Sequence, residues 1–199
     1  MLARFSPYWL WLVLALPALG MAYELATSVD PKVYRSLVHP TGEFSARFLI
    51  ITLMATPLMM LLRGWRGPRW LLRNRRYFGV ASFAYAAAHT LFYVLNTASM
   101  DKLLSDLTRF DIAAGWLAFL IFLPLAATSY DGAVRWMGPR WKMLQRATYA
   151  AAVLTLLHWA ALHNWAHPVP ALIQFAPLAA LSAWRLWWNF LRPRPGLPA

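Results

Sequence analysis

The chain has 199 residues, of which 60% are hydrophobic and 13% charged, and its formal net charge is +12. Soluble domains are about one half apolar and one quarter charged, so this composition excludes an ordinary soluble domain. The 12 tryptophans are typical of membrane interfaces. Cysteine is absent, which excludes disulfides, thiolate metal ligands and cysteine nucleophiles. We interpret the positive charge as a topology signal rather than as nucleic-acid binding.

Six apolar segments are predicted to cross a bilayer as helices. The first is interpreted as a retained span, although small residues after its core also allow a cleaved signal peptide. The prediction is an all-α six-transmembrane-helix bundle that forms a single membrane domain over residues 1–199. The spans are Tyr8–Ala26, Phe44–Leu62, Tyr77–Leu95, Asp111–Tyr130, Ala147 to about Leu162, and Ala171 to about Phe190.

The distribution of charge sets the predicted orientation. Segment 63–76 holds six arginines and no acid, and segment 131–146 holds four basic residues against one acid. Positively charged loops stay in the cytoplasm, so both segments are predicted to be cytoplasmic. Segments 28–43 and 96–110 then become external loops, the second with a short amphipathic helix. Both chain termini are predicted to be cytoplasmic, with a disordered tail over 191–199.

Two histidines lie inside the third and fifth predicted spans, where an ionisable side chain is costly and usually functional. His89 follows Tyr77 by 12 residues, and His158 follows Ala147 by 11 residues. Both spans run outward, so the side chains lie about 18 and 16.5 Å from the cytoplasmic ends. Two neutral imidazoles at one depth can bind a haem iron from opposite faces. The spacing favours a haem site, with two unrelated polar contacts between helices as the alternative.

Small residues and a cation accompany the histidine pair. Arg47 enters the second span about one turn from its outer end, so we predict that it pairs with a haem propionate. The alternative is an arginine that snorkels to the interface. Small side chains allow helices and a macrocycle to approach closely. They are Ala84, Ala86, Ala87 and Ala88 before His89, and Ala150, Ala151 and Ala152 in the fifth span.

Several segments occur in the order typical of one protein family. They are HPTGEFSARFL (39–49), ATPL (55–58), LLRNRRYFGVASFAYAAAHTLFYV (71–94), LAATS (125–129) and WKMLQRATYAAAVLTLLHW (141–159). Over about residues 35–190 the chain resembles the haem-binding membrane subunit of the periplasmic protein-methionine-sulfoxide reductase system. This is the MsrQ or YedZ family of the ferric-reductase-like transmembrane group. The segments that contain Arg75, Arg76, His89 and His158 are the most specific.

The resemblance implies a multi-pass protein of the bacterial inner membrane with one b-type haem, whose iron is ligated by His89 and His158. It would take electrons from the quinone pool or a cytoplasmic flavin reductase. Some members are associated with FMN, which would make this chain a flavoprotein. It would pass electrons to a periplasmic molybdopterin-containing methionine-sulfoxide reductase subunit, which repairs oxidised periplasmic proteins. As an electron-transfer subunit, the chain alone is not expected to catalyse a reaction on a substrate.

One position departs from the family pattern. Many relatives have a third histidine 13 residues before the second ligand, where this chain has Gln145. Two stacked haems are therefore not expected, and a flavin or quinone could fill the gap on the cytoplasmic side. Contact with anionic lipid is the alternative interpretation of the nearby arginines. The candidate contacts for a flavin, a quinone or a reductase are Arg73, Arg75, Arg76 and Gln145.

His39 and His163 lie in or beside predicted external loops, where they could complete the haem pocket, relay protons or contact the partner. Two other classes of function stay open. A small membrane transporter or channel would use the intramembrane histidines and arginine as proton or ion groups, and it would be colourless. A stand-alone transmembrane metal-ion reductase would hold haem but would need no periplasmic subunit.

Overall fold

The computed structural model describes residues 7–191, and no strand occurs in that range. Five of its helical segments are long and apolar enough to cross a membrane: α1, α2, α3, α5, and α9 with the π-helix that follows it. The predicted all-α class is confirmed. Of the disordered tail predicted over 191–199, residues 192–199 lie outside the described range. The helices are α1 (Pro7–Thr27), α2 (Val33–Leu61), α3 (Arg66–Thr97), α4 (Met100–Asp106), α5 (Phe110–Ala127), α6 (Asp131–Met137), α7 (Pro139–Gln145), α8 (Ala147–Trp165), α9 (Val169–Leu186) and the π-helix (Trp187–Leu191).

Helix α8 corresponds to the fifth predicted span, but it is regular only as far as Ala161. The backbone of Leu162 is extended, and His163 and Asn164 have left-handed φ angles of 55° and 56°. The regular part, residues 147–161, is about 22 Å long. A hydrocarbon core of about 30 Å is thicker than that, and α8 is not among the five long apolar helices.

Two helices begin earlier than the charge pattern predicts. Residues 33–43 belong to α2 and residues 66–76 belong to α3, although both stretches were expected to be loops. With 29 and 32 residues, these helices are about 43 and 48 Å long and extend beyond the hydrocarbon layer. Charged residues mark where a helix leaves the lipid, but the backbone hydrogen bonds of the helix continue beyond that boundary. The short helix predicted within 96–110 is present as α4.

Helices α2 and α3 form the most extensive contact of the bundle, centred on two buried serines. The Ser45 hydroxyl donates to the Ser82 carbonyl at 2.9 Å, and the Ser82 hydroxyl donates to the Ser45 carbonyl at 2.8 Å. Small residues allow helix backbones to approach closely enough for such reciprocal bonds. The bonds fix the register of α2 against the half of α3 that carries His89.

The rest of the bundle packs around this pair. Helix α1 is joined to α3 by Tyr85, whose hydroxyl donates to the Leu14 carbonyl at 3.0 Å and accepts the Ala18 N–H at 2.8 Å. Helix α5 packs mainly on α8, and α9 packs on α2 and α8. The buried core joins α2, α5, α8 and α9 through residues that include Leu49, Leu53, Phe122, Ala151 and Phe175.

Candidate functional site

The structure brings the two intramembrane histidines together. His89 on α3 and His158 on α8 face each other with ring centroids 6.0 Å apart and ring planes at 79°. Both side chains are half-buried. The two imidazoles, which were predicted to lie at the same depth in the membrane, are therefore direct neighbours.

Each ring is held by one backbone carbonyl. His89 Nδ1 lies 2.8 Å from the Val38 carbonyl oxygen, and His158 Nδ1 lies 2.7 Å from that of Asp111. A carbonyl oxygen only accepts, so each Nδ1 carries the proton and donates it. Each Nε2 is then left with a lone pair. A histidine that ligates a metal usually donates its other ring N–H in this way.

The two histidines lie in one cavity of about 390 Å³, here called the histidine cavity. A volume of this size is typical of a cofactor or small-molecule site. Most of its walls are apolar, and small residues leave room between the helices. The lining includes Gly42, Ala46, Ala86, Ile112, Gly115, Ala118, Phe119, Phe122 and Trp159.

Polar side chains also line the cavity, among them Arg35, His39 and His163. The His39 ring meets Trp159 edge-on, with centroids 6.4 Å apart. His163 reaches the cavity because α8 breaks there; its left-handed backbone conformation costs about 1–3 kcal/mol.

Arg35 is a cavity cation that sequence reasoning missed. Its position one helical turn before His39 is the signal that could have found it. Its side chain is exposed and makes no ion pair within residues 7–191.

Arg47 is engaged elsewhere in the structure. Its guanidinium contacts Glu43 at 2.5 Å, one turn earlier in α2, and its Nε donates to Gln174 Oε1 at 3.1 Å. Gln174 in turn donates to Glu43 at 2.8 Å. Arg47 is not among the residues that line the histidine cavity, although Glu43 is. The propionate partner predicted at Arg47 is thus part of a closed polar triad between α2 and α9.

A network of charges closes the start of α5 beside His158. The Arg109 guanidinium donates to both carboxylate oxygens of the buried Asp111, at 2.6 and 3.2 Å. This contact raises the pKa of Arg109 further above its usual value, so the guanidinium stays charged. Tyr93 on α3 donates to Asp106 at 2.9 Å. These contacts anchor the segment whose Asp111 carbonyl accepts the hydrogen bond from His158.

A second cavity of about 280 Å³, here called the arginine cavity, lies where α2, α3, α5, α7 and α8 meet. Gln145, at the end of α7, is one of its lining residues, and its amide donates to the Leu125 carbonyl at 3.2 Å. The exposed Arg73 lines neither this cavity nor the histidine cavity. Four cations line the arginine cavity: Arg75, Arg76, Lys142 and Arg146.

One of these cations is neutralised. Arg76 contacts Asp131 at 2.6 Å, and this hydrogen bond holds the pKa of the Asp131 carboxyl below its usual value. Arg75 donates to the Thr56 hydroxyl at 3.1 Å, and Lys142 and Arg146 make no ion pair within residues 7–191. The cavity therefore has an excess of positive charge.

Aromatic rings separate the two cavities. Phe122 lines both of them. Phe83, which lines the arginine cavity, stacks on Phe119, which lines the histidine cavity, with centroids 6.0 Å apart and planes at 10°. These three phenylalanines, here called the phenylalanine wall, therefore lie between the two cavities.

The histidine pair fits a haem iron by its donor chemistry. Metal–imidazole bonds of about 2.0–2.1 Å, with about one ångström more to each ring centre, put two axial rings roughly 6 Å apart. The observed separation is 6.0 Å. The protonated Nδ1 atoms, the free Nε2 lone pairs and the apolar cavity agree with this assignment. The arginine cavity has no histidine in its lining and does not fit a second haem of this kind.

Comparison with known proteins agrees with this geometry. The family model described as the ferric reductase like transmembrane component matches residues 41–156. Curated relatives named as the heme-binding subunit MsrQ of protein-methionine-sulfoxide reductase match most of the chain. The relative from Azospira oryzae is 37% identical, covering 89% of this chain and 76% of its own. The chain belongs to the MsrQ family.

Other MsrQ proteins match over still more of the chain. The relative from Ralstonia nicotianae is 32% identical over 94% of this chain and 87% of its own. The relative from Brucella ovis is 33% identical over 93% and 84%. No solved structure shows a significant match. The ferric-reductase-like match includes His89 and ends two residues before His158.

Proposed function

We propose that this chain is the haem-binding membrane subunit of a protein-methionine-sulfoxide reductase and that it carries electrons across the membrane. The observation that carries the proposal is the pair of facing imidazoles, His89 and His158, each with its Nδ1 proton donated to a carbonyl. The MsrQ relatives, named as heme-binding subunits of that reductase, support it.

The proposed topology has six crossings, with both termini in the cytoplasm of a bacterial cell and the chain in its inner membrane. Five of the crossings are the long apolar helices. The remaining crossing is α8, the fifth in chain order, whose regular part is short but packs along α5 and α9. The positive segments 63–76 and 131–146 support this orientation because positive charge stays inside. The histidine cavity would then open toward the periplasm and the arginine cavity toward the cytoplasm.

The proposed cofactor is one b-type haem with His89 and His158 as its axial ligands. When bound, it would supply reversible one-electron chemistry. The chain supplies the two imidazoles, a low-dielectric pocket and cations for the propionates. Arg35 lines the cavity and has no acidic partner among the described residues, so it is a better candidate for a propionate than Arg47, which Glu43 neutralises. His39 and His163 line the same pocket.

Electrons are proposed to enter at the arginine cavity. Its unpaired cations suit a negatively charged ligand such as FMN, and its size also suits a quinone headgroup. Gln145 and Arg76 occupy the positions 13 residues before His158 and His89, so this end would hold a bound or docking donor instead of an inner haem. Arg73 and Arg75 could meet an acidic face of a flavin reductase. The phenylalanine wall leaves a short separation between this entry site and the haem pocket.

The proposed electron acceptor is a periplasmic molybdopterin-containing reductase subunit that repairs oxidised methionines. Catalysis on the sulfoxide would belong to that partner. The histidine end of this chain, with its positive Arg35 and exposed His39 and His163, is the surface on which the partner would dock.

The test is a visible spectrum of the purified full-length protein, oxidised and then reduced with dithionite, with a pyridine haemochrome count. We expect a sharp reduced b-type spectrum and one haem per chain. A second step offers a reduced preparation to the co-expressed periplasmic subunit and measures reoxidation. A colourless protein after expression with ample haem would overturn the proposal and favour the transporter. Haem without reoxidation by any periplasmic subunit would favour the metal-ion reductase.

A further inference from the structure

Each histidine ring lies directly on a glycine of the neighbouring helix. A Cβ atom added at Gly42 in α2 would lie 2.8 Å from Nδ1 and 2.9 Å from Cε1 of His89. A Cβ added at Gly115 in α5 would lie 2.7 Å from Nδ1 and 2.9 Å from Cε1 of His158. Contacts under 3.0 Å are shorter than Cβ atoms adopt. The rings therefore occupy the space that any larger residue would need.

The same two elements recur at both sites. The carbonyl that accepts the His89 proton belongs to Val38, four residues before Gly42, and the carbonyl that accepts the His158 proton belongs to Asp111, four residues before Gly115. An α-helix pairs the N–H of a residue with the carbonyl four residues earlier. Each histidine thus donates to the same carbonyl that accepts the glycine N–H within the helix. The ring can lie this close because the glycine has no side chain to cover the helix surface.

The other glycines in long helices lack this arrangement. At Gly79 in α3 an added Cβ would meet Thr52 at 3.7 Å, an ordinary contact, and at Gly20 and Gly67 it would meet nothing within 4 Å. Among the glycines of the long helices, ring contact is therefore confined to Gly42 and Gly115. It is not a general result of small residues in this bundle.

We infer that Gly42 and Gly115 are positioning residues for the two imidazoles: the absent side chain lets each ring lie on the helix backbone, where the carbonyl one turn earlier fixes its plane and its proton. The inference rests on the proposed haem function and deepens it. Helix pair α2–α3 builds one such cradle, and helix pair α5–α8 builds the other. The two cradles hold the rings at 79° to each other.

The experiment replaces each glycine by alanine in the full-length haem-loaded protein. G42A and G115A are compared with G79A, which lies in the same α2–α3 pair but away from either ring. Haem content is measured together with the electron paramagnetic resonance spectrum of the oxidised protein, because low-spin ferric g values depend on the angle between axial ligand planes. Groups that orient metal ligands typically change metal affinity by about 10- to 100-fold when removed.

We expect G42A and G115A each to lower haem affinity by about 10-fold or more and to shift the g values of the haem that remains, while G79A keeps the wild-type spectrum. Wild-type haem content and g values in G42A and G115A would overturn the inference. So would equal losses in all three variants, because the effect would then be general helix packing. Absence of haem from the wild type would instead reject the proposed function itself.

A second measurement covers variants that bind no haem. The thermal unfolding of haem-free protein is compared for G42A, H89A and the double variant. If the added methyl group clashes with the ring, G42A lowers Tm in the wild-type background and has little effect when His89 is already alanine. An equal loss of Tm in both backgrounds would show that the glycine serves the backbone alone and would overturn the inference. Gly115 and His158 form the matching cycle.

Discussion

The histidine cavity and the arginine cavity are built largely from the same four helices, yet they present opposite chemistry. In the first, two imidazoles face each other 6.0 Å apart in an apolar pocket. In the second, an amide and four cations line the space, and within residues 7–191 only one of those cations has a carboxylate partner. A close-packed bundle of small residues is therefore not enough to bind a metal. Two facing donors, each held by its own helix, make the difference.

The largest effect is expected from removing either facing donor. H89A and H158A should abolish the haem spectrum, because one imidazole cannot fill both axial positions, while insertion into the membrane is retained. H39A and H163A are the controls, since these residues line the same cavity without facing each other. The reduced-minus-oxidised spectrum of purified protein measures the result. A full haem complement in either H89A or H158A would reject the proposed ligand pair.

The next effect concerns the arginine cavity. The double variant R75Q K142Q should keep its haem, because neither residue lines the histidine cavity. Its reduction by the physiological donor should slow by about 10-fold at low salt, because electrostatic attraction to an anionic donor is lost. Stopped-flow reduction at two ionic strengths measures this.

The matched control for that experiment is R66Q R140Q, which removes two exposed cations that line neither cavity. A similar slowing in R66Q R140Q would assign the effect to the net charge of the surface. Loss of haem from R75Q K142Q would mean that the arginine cavity supports the fold rather than the donor.

A smaller effect separates the two candidate propionate partners. R35Q should keep the haem and lower its midpoint potential by roughly tens of millivolts, because a cation near the iron favours the reduced state and its exposed position is screened by solvent. The double variant E43Q R47Q removes one charge of each sign and should leave the potential unchanged. Redox titration of the visible spectrum distinguishes them. A shift in the double variant alone would restore Arg47 as the propionate partner.

The smallest effect is expected at Asp131, whose side chain is exposed. Arg76 lowers the pKa of this carboxyl in the folded protein, so the pair contributes stability at neutral pH that is lost as the pH falls through the folded pKa. D131N should therefore lower Tm slightly at pH 7 and should match the wild type in acid. A difference that persists in acid would show that Asp131 acts through something other than its charge.

Much of the fold was predictable because hydrophobic length and positive charge report on the membrane directly. The segments that became α1, α2, α3, α5 and α9 were all identified. The ends of α2 and α3 were not, because charge reports where lipid ends and helical hydrogen bonds continue into water. The end of the fifth span, predicted at about Leu162, agrees with the backbone break at Leu162–Asn164.

The site was predictable to the extent that it depends on depth along a helix. Nearly equal spacing from the predicted span starts, Tyr77 and Ala147, was enough to place His89 and His158 at one depth. Arg47 could have been excluded as a free cation, because Glu43 lies one turn before it and an i, i+4 ion pair was available. The contacts of Gly42 and Gly115 could not have been found, because they depend on how two helices cross.

The two cradles have a consequence for how the protein is assembled. Each contains one complete half of the binding site, since α2 and α3 hold His89 and α5 and α8 hold His158. The connection between the halves, residues 98–109, supplies no ligand. Membrane helices insert before they associate, so each hairpin can form its half-site during synthesis without the other. A haem bound by both His89 and His158 would then join the two helix pairs, and it could bind only after both pairs had been inserted with the correct orientation.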